Sequence, residues 1–148
     1  MMKNYAYLFL LFVSLLSTAC NNDDDDTTPA AQTTALTATL NGMQEVPANN
    51  STGTGTFSGT LNKTTREFTY RIEFQGLTAN PTAGHFHQAV PGSNGPVVYP
   101  LGGLTSPITG KITLTEAEAA KLLAGEFYAN LHTAAFTGGE IRGNIKVQ

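Results

Sequence analysis

The sequence predicts an all-β fold, an antiparallel β-sandwich with one short connecting helix, and three observations carry that expectation. Apolar and polar residues alternate with a period of two through most of the chain after residue 35. Clusters of glycine, proline and asparagine interrupt the alternation at short intervals. Only one segment has helical spacing together with helix-end signals.

In chain order, Leu36, Ala38 and Leu40 alternate with threonines and form the first strand, followed by the long connection NGMQEVPANNSTGTG. Phe57, Gly59 and Leu61 alternate with Ser and Thr up to the polar turn NKTTRE. The clearest strand is FTYRIEF, where Phe68, Tyr70, Ile72 and Phe74 point one way and Thr69, Arg71 and Glu73 the other. Short strands follow at HFH, VVY, ITGKITL, FYANLHT and EIRGNIKV. The helix is TEAEAAKLLAG: Thr115 and Glu118 form a capping box, Leu122 and Leu123 supply the apolar side, and Gly125 closes the end.

The first twenty residues read differently. Lys3, the apolar run YAYLFLLFVSLL and the small residues of STAC have the build of an export signal. Ser17, Thr18 and Ala19 before Cys20 resemble a bacterial lipobox, with Ser17 where that motif usually has Leu. Cys20 is the only cysteine, so no internal disulfide can form. Lipidation at Cys20 accounts for it and would give a stable membrane anchor; the alternative is a plain signal peptide cleaved elsewhere, leaving a free thiol. Residues 21–34 are polar and acidic, the expectation being a flexible tether. Asp23 to Asp26 resemble the tag that sends some lipoproteins to the outer face of the outer membrane, or act as a self-repelling spacer. The expected organisation is a lipoprotein signal over 1–20, a tether over 21–34 and one domain over 35–148, located in the cell envelope on the outer membrane, with periplasmic and surface-exposed orientations both open.

The acidic residues include Asp23 to Asp26 and the basic ones include Lys3; what remains from Ala35 on is balanced in sign, so the domain is formally neutral. No basic stripe exists for nucleic acid. No second long apolar run appears either, which leaves the lipid as the expected membrane contact.

The chain has three histidines. In HFHQA, Phe86 takes the core side, so His85 and His87 face away from it; in FYANLHT the apolar set is Phe127, Ala129 and Leu131, which puts Tyr128, Asn130 and His132 on the other face. In EIRGNIKV, Ile141, Ile145 and Val147 point inward and Glu140, Arg142, Asn144 and Lys146 outward. If the three strands are neighbours, all three imidazoles share one polar face with Tyr128, Asn130, Glu140 and Arg142. Three imidazoles suit Zn(II) or Cu(II), with Glu140 as a fourth ligand or as the acceptor that fixes a ring tautomer. The other reading is a metal-free polar network of cross-strand hydrogen bonds and ion pairs.

The blocks LNGMQEVP (Leu40 to Pro47), GHFHQAVPGSNGPVVYPL (Gly84 to Leu101) and FYANLHTAAFTGGEIRGNI (Phe127 to Ile145) together resemble the CHRD domain family, named for its occurrence in chordin. His85, His87, Asn94, Gly95, Pro96, Tyr128, Asn130, His132, Thr133 and the run Gly139 to Gly143 match the family's pattern; Gly84, Phe86 and Thr137-Gly138 depart from it. The sandwich expected from the strand pattern is immunoglobulin-like or superoxide-dismutase-like, and the resemblance implies an exported domain with no established enzymatic activity. HFH also resembles the copper-binding strand of Cu/Zn superoxide dismutase, but this chain lacks the cysteines that brace that enzyme.

Hydrolase chemistry is disfavoured by composition: there is no GxSxG elbow and no nucleophilic cysteine in the domain, and Glu67 and Glu73 lie outward. PGSNGP lacks the Lys-Ser/Thr of a phosphate loop. The expected function is a membrane-anchored, non-enzymatic binding or structural module with an extracellular protein or glycan partner. The alternative is a Cu- or Zn-binding, redox-capable protein that uses His85, His87 and His132.

Overall fold

The computed structural model describes residues 32–148; the export segment, Cys20 and the aspartate run lie outside the described residues. Eight strands and one α-helix follow one another as β1 (Thr33–Asn41), β2 (Thr54–Asn62), β3 (Glu67–Gln75), β4 (Ala83–Gln88), β5 (Val97–Pro100), β6 (Ile108–Thr113), α1 (Glu116–Leu123), β7 (Phe127–His132) and β8 (Ile141–Val147). Every strand expected from alternation is present. β1 begins at Thr33, inside the stretch assigned to the tether, because β2 runs on to Asn62 and offers Thr33 a partner.

All pairings are antiparallel, and the strands join into one hydrogen-bonded sheet of order β5-β4-β7-β8-β1-β2-β3-β6. The all-β antiparallel character and the single helix are therefore as expected, while the strands belong to one continuous sheet. That sheet is strongly curled. Phe86 on β4 packs edge-on against Tyr70 on β3 at 4.8 Å and against Phe57 on β2 at 6.2 Å, although four and three strands respectively separate them from β4 in the sheet. These rings close the core with Leu36, Leu40, Leu61, Phe68, Ile72, Phe127, Leu131, Ile141 and Ile145, all at most 1 % exposed. Burying each such side chain contributes roughly 1.5–3 kcal/mol.

The period of two predicts these inward positions because β3, β7 and β8 keep regular ladders. α1 carries the expected capping box, with Thr115 and Glu118 bonded reciprocally, and Gly125 takes a φ of 77° just past its end. Ala119 and Leu122 bury its inner side in the core. Among the described residues no helix is long and apolar enough to cross a membrane.

Candidate metal centre

β4, β7 and β8 are adjacent, and their registers fix what meets on the face opposite the core. His85 lies opposite Asn130 and Asn130 opposite Arg142; His87 lies opposite Tyr128 and Tyr128 opposite Asn144. Directly opposed residues bring their Cβ atoms to about 5 Å. Parity therefore delivers the constellation expected from sequence: His85, His87, His132, Tyr128, Asn130 and Arg142 are all there.

One ligand atom from each of His85, His87 and His132 lies within 4.8 Å of the others. His85 Nδ1 stands 3.2 Å from His132 Nε2. His87 Nδ1 donates to the Gly95 carbonyl at 2.9 Å, and His132 Nδ1 donates to the Thr137 carbonyl at 2.9 Å. A carbonyl can only accept, so these two bonds fix the Nδ1–H tautomer of both rings and leave each Nε2 as a lone-pair donor, that of His132 facing His85 Nδ1. Zn–N bonds of about 2.0–2.1 Å place tetrahedral nitrogens about 3.4 Å apart. The His85–His132 pair already has that spacing, and all three ligand atoms lie within 4.8 Å of one another.

Electrostatics favour the neutral rings that a metal requires. Burial, with His132 and His87 beside it, lowers the pKa of His85. Burial also lowers that of His87, with His132 and Arg142 adding to the effect and the Gly95 carbonyl and Asn130 opposing it. Neutral imidazoles bind metal without first losing a charge-bearing proton.

The face is not the wet surface its polarity suggests. Asn130 is 3 % exposed and Arg142 is fully buried. The connection between β4 and β5 folds over them: Arg142 donates to the Ser93 carbonyl at 2.8 Å and to Asn94 Oδ1 at 3.2 Å. Asn94 Nδ2 in turn donates to the Val46 carbonyl at 2.7 Å, tying this cover to the segment after β1. Gly95 permits the turn, since a Cβ there would run into the Gln88 carbonyl. Beneath the cover, His87 stacks on Tyr128, and the Arg142 guanidinium lies 3.4 Å from the centroid of the same Tyr128 ring.

Glu140 corrects the expectation of a fourth ligand or imidazole partner. Its carboxylate accepts from Ser51 Oγ (2.7 Å), the Thr78 amide (2.8 Å), Thr78 Oγ1 (2.8 Å) and Thr133 Oγ1 (2.6 Å). Burial pushes its pKa up, but the bonds from Thr133, Ser51 and Thr78 outweigh burial and hold it below the usual carboxylate range. The physical reason is local: Gly139, at a φ of 131°, breaks the extended period before β8 begins at Ile141. Glu140 consequently serves as an anchor for loops rather than a group at the imidazoles.

Sequence reasoning missed Glu45. It is 6 % exposed, lies against the Cα of Gly139 where any Cβ would strike its carboxylate, and feels the charge of Arg142. Its place in QEVP, inside a long connection, gave no periodic signal.

The fold and site define an all-β antiparallel domain that carries three convergent imidazoles beside a covered polar layer. The chain belongs to the CHRD domain family, whose model matches residues 36–145. No curated protein and no solved structure matches it.

Proposed function

We propose that this CHRD domain is a membrane-tethered, extracytoplasmic binding module whose ligand is a single Cu or Zn ion held by His85, His87 and His132. The observation that carries the reading is the convergence of three ligand atoms within 4.8 Å from two separate stretches of chain. The carbonyls of Gly95 and Thr137 support it by holding the Nδ1 protons of two rings, which leaves their Nε2 atoms as lone-pair donors. A bound ion would supply Lewis acidity or, as copper, one-electron chemistry. Metal analysis of protein purified without a histidine tag tests the reading: stoichiometric Zn or Cu, with a thermal shift on adding either ion, is expected. Absence of both rejects it.

A second reading, a purely structural or partner-binding module for an extracellular protein or glycan, is favoured by the His85–His132 hydrogen bond and the fixed stacking of His87 on Tyr128, which need no ion to persist. The tether rests on the lipobox-like STAC and the acidic stretch after Cys20. Replacing Cys20 by Ser should release the mature protein from the outer membrane, and retention there would count against the anchor.

A further inference from the structure

Two polar atoms beside the imidazoles are buried without any hydrogen-bond partner, His87 Nε2 and Asn130 Oδ1. Buried polar atoms are nearly always paired, and leaving one unpaired costs on the order of 1–3 kcal/mol. Both atoms belong to the same small region. Asn130 is the direct cross-strand partner of His85, and its carboxamide is placed to accept from a protonated His87 ring and so raise its proton affinity, while the neutral Nδ1–H ring gives that oxygen no proton. Because His87 Nδ1 carries the proton given to Gly95, its Nε2 offers only a lone pair. The Asn130 oxygen likewise offers only lone pairs. His132 Nε2 is a third acceptor, by virtue of the Thr137 carbonyl on its other nitrogen. Two buried acceptors that face no donor, beside a third held only by the partly exposed His85–His132 hydrogen bond, make a host for a cation.

We propose that Asn130 completes the centre: its carboxamide oxygen is the fourth donor, making an N3O site with His85 Nδ1, His87 Nε2 and His132 Nε2. This deepens the three-imidazole reading and rests on it. Metal binding then replaces the His85–His132 hydrogen bond, His85 moving its proton from Nδ1 to Nε2 while the other two rings keep their tautomers. The site gains no net charge from its protein ligands. A hard oxygen donor suits Zn(II) and Cu(II) and adds little for Cu(I), so Asn130 discriminates between copper oxidation states.

The test titrates Zn(II), Cu(II) and Cu(I) separately into the full chain, purified without a histidine tag, as wild type, Asn130→Leu and Asn130→Asp. Asn130→Leu, of similar size but lacking a donor, should weaken Zn(II) and Cu(II) by at least about tenfold and leave Cu(I) within about twofold. Asn130→Asp keeps the oxygen and adds charge, so it should bind both divalent ions more tightly and change the Cu(II) electron paramagnetic resonance spectrum. Should the leucine variant fail to fold, the aspartate variant decides alone. An amide that merely donated a hydrogen bond to His87 would, when replaced by carboxylate, weaken the divalent ions instead. Asn130→Asp binding no tighter than wild type, or with an unchanged Cu(II) spectrum, overturns the role of Asn130 and leaves the three imidazoles standing. Failure of the wild type to bind any of the three ions removes both.

Discussion

The rings of His87 and Tyr128 lie parallel, 4.6 Å apart at an interplanar angle of 4°. They sit directly opposite each other on β4 and β7, and Arg142, from β8 on the far side of β7, lies over the same tyrosine. Three neighbouring strands thus contribute one stacked column, which links the imidazole cluster to the cover formed by Ser93 and Asn94. A cation over an aromatic face contributes about 0.5–2 kcal/mol, the larger value when desolvated.

Arg142 holds that column by shape as well as charge. Its planar fork reaches the Ser93 carbonyl, Asn94 Oδ1 and Asn144 Oδ1 at once, which an ammonium cannot reproduce. Arg142→Lys should lower stability by about 1–3 kcal/mol, through lost hydrogen bonds to groups that remain buried. A lower urea midpoint with an unchanged slope would register it; a midpoint equal to wild type would show that the fork contributes nothing.

Glu45 gives the fold a pH dependence near neutrality. Burial pushes its pKa from 4.5 up to about 7, against the opposing pull of Arg142 and the Val46 amide. The fold therefore favours the protonated carboxyl. The associated stability is complete below about pH 4.5 and is lost as pH rises through about 7. Its size is roughly 2 kcal/mol, taken below the full value of the shift to allow for relaxation and screening. Glu45→Gln should remove this loss, so the wild-type and variant stabilities, measured by denaturant unfolding between pH 5 and 8, should diverge with the wild type falling. Parallel curves would show that Glu45 does not titrate in that window.

Glu140 behaves in the opposite sense. Its carboxylate is held below the ordinary range by Thr133, Ser51 and Thr78, so its contribution is present above about pH 4.5 and disappears as pH falls through its lower folded value. Glu140→Gln should cost about 1.5–3 kcal/mol at pH 7 and flatten the acid limb of the stability curve, because charge-assisted bonds become neutral ones. Metal affinity should stay at the wild-type value. A tenfold loss of Zn(II) or Cu(II) affinity in Glu140→Gln, with the fold intact, would return Glu140 to the centre.

These two glutamates mark where the sequence could be read and where it could not. Pleat parity placed His85, His87, His132, Tyr128, Asn130 and Arg142 on one face, and it succeeded because β4, β7 and β8 pair without interruption across those positions. It failed at Glu140 because parity holds only inside a strand, and the left-handed Gly139 stands immediately before it. It also said nothing about depth. Whether a polar face is wet depends on what folds over it, and Ser93 and Asn94 cover Arg142 from 49 and 48 residues away in sequence. Glu45 was unreadable for the same reason: its neighbours Gly139 and Arg142 are met only after the sheet is assembled.

The three histidines should separate cleanly into a small structural role and a large metal-dependent one. In the metal-free protein the His85–His132 bond is one partly exposed hydrogen bond, worth about 1 kcal/mol net. His132→Gln should therefore unfold within a few degrees of wild type when no metal is present. A ligand that binds only the folded state adds about 2.7 kcal/mol at a hundredfold excess over its dissociation constant, which for a domain of this size raises the melting temperature by roughly ten degrees. That increment requires all three nitrogens in place, so it should appear with Zn(II) or Cu(II) in the wild type and vanish in His132→Gln, with His85→Gln giving the same result from the other strand. Calorimetry of the three proteins with and without each ion reads both effects together. An equal shift in all of them would place the ion somewhere other than these imidazoles, and a large metal-free loss in either variant would make the histidines part of the scaffold.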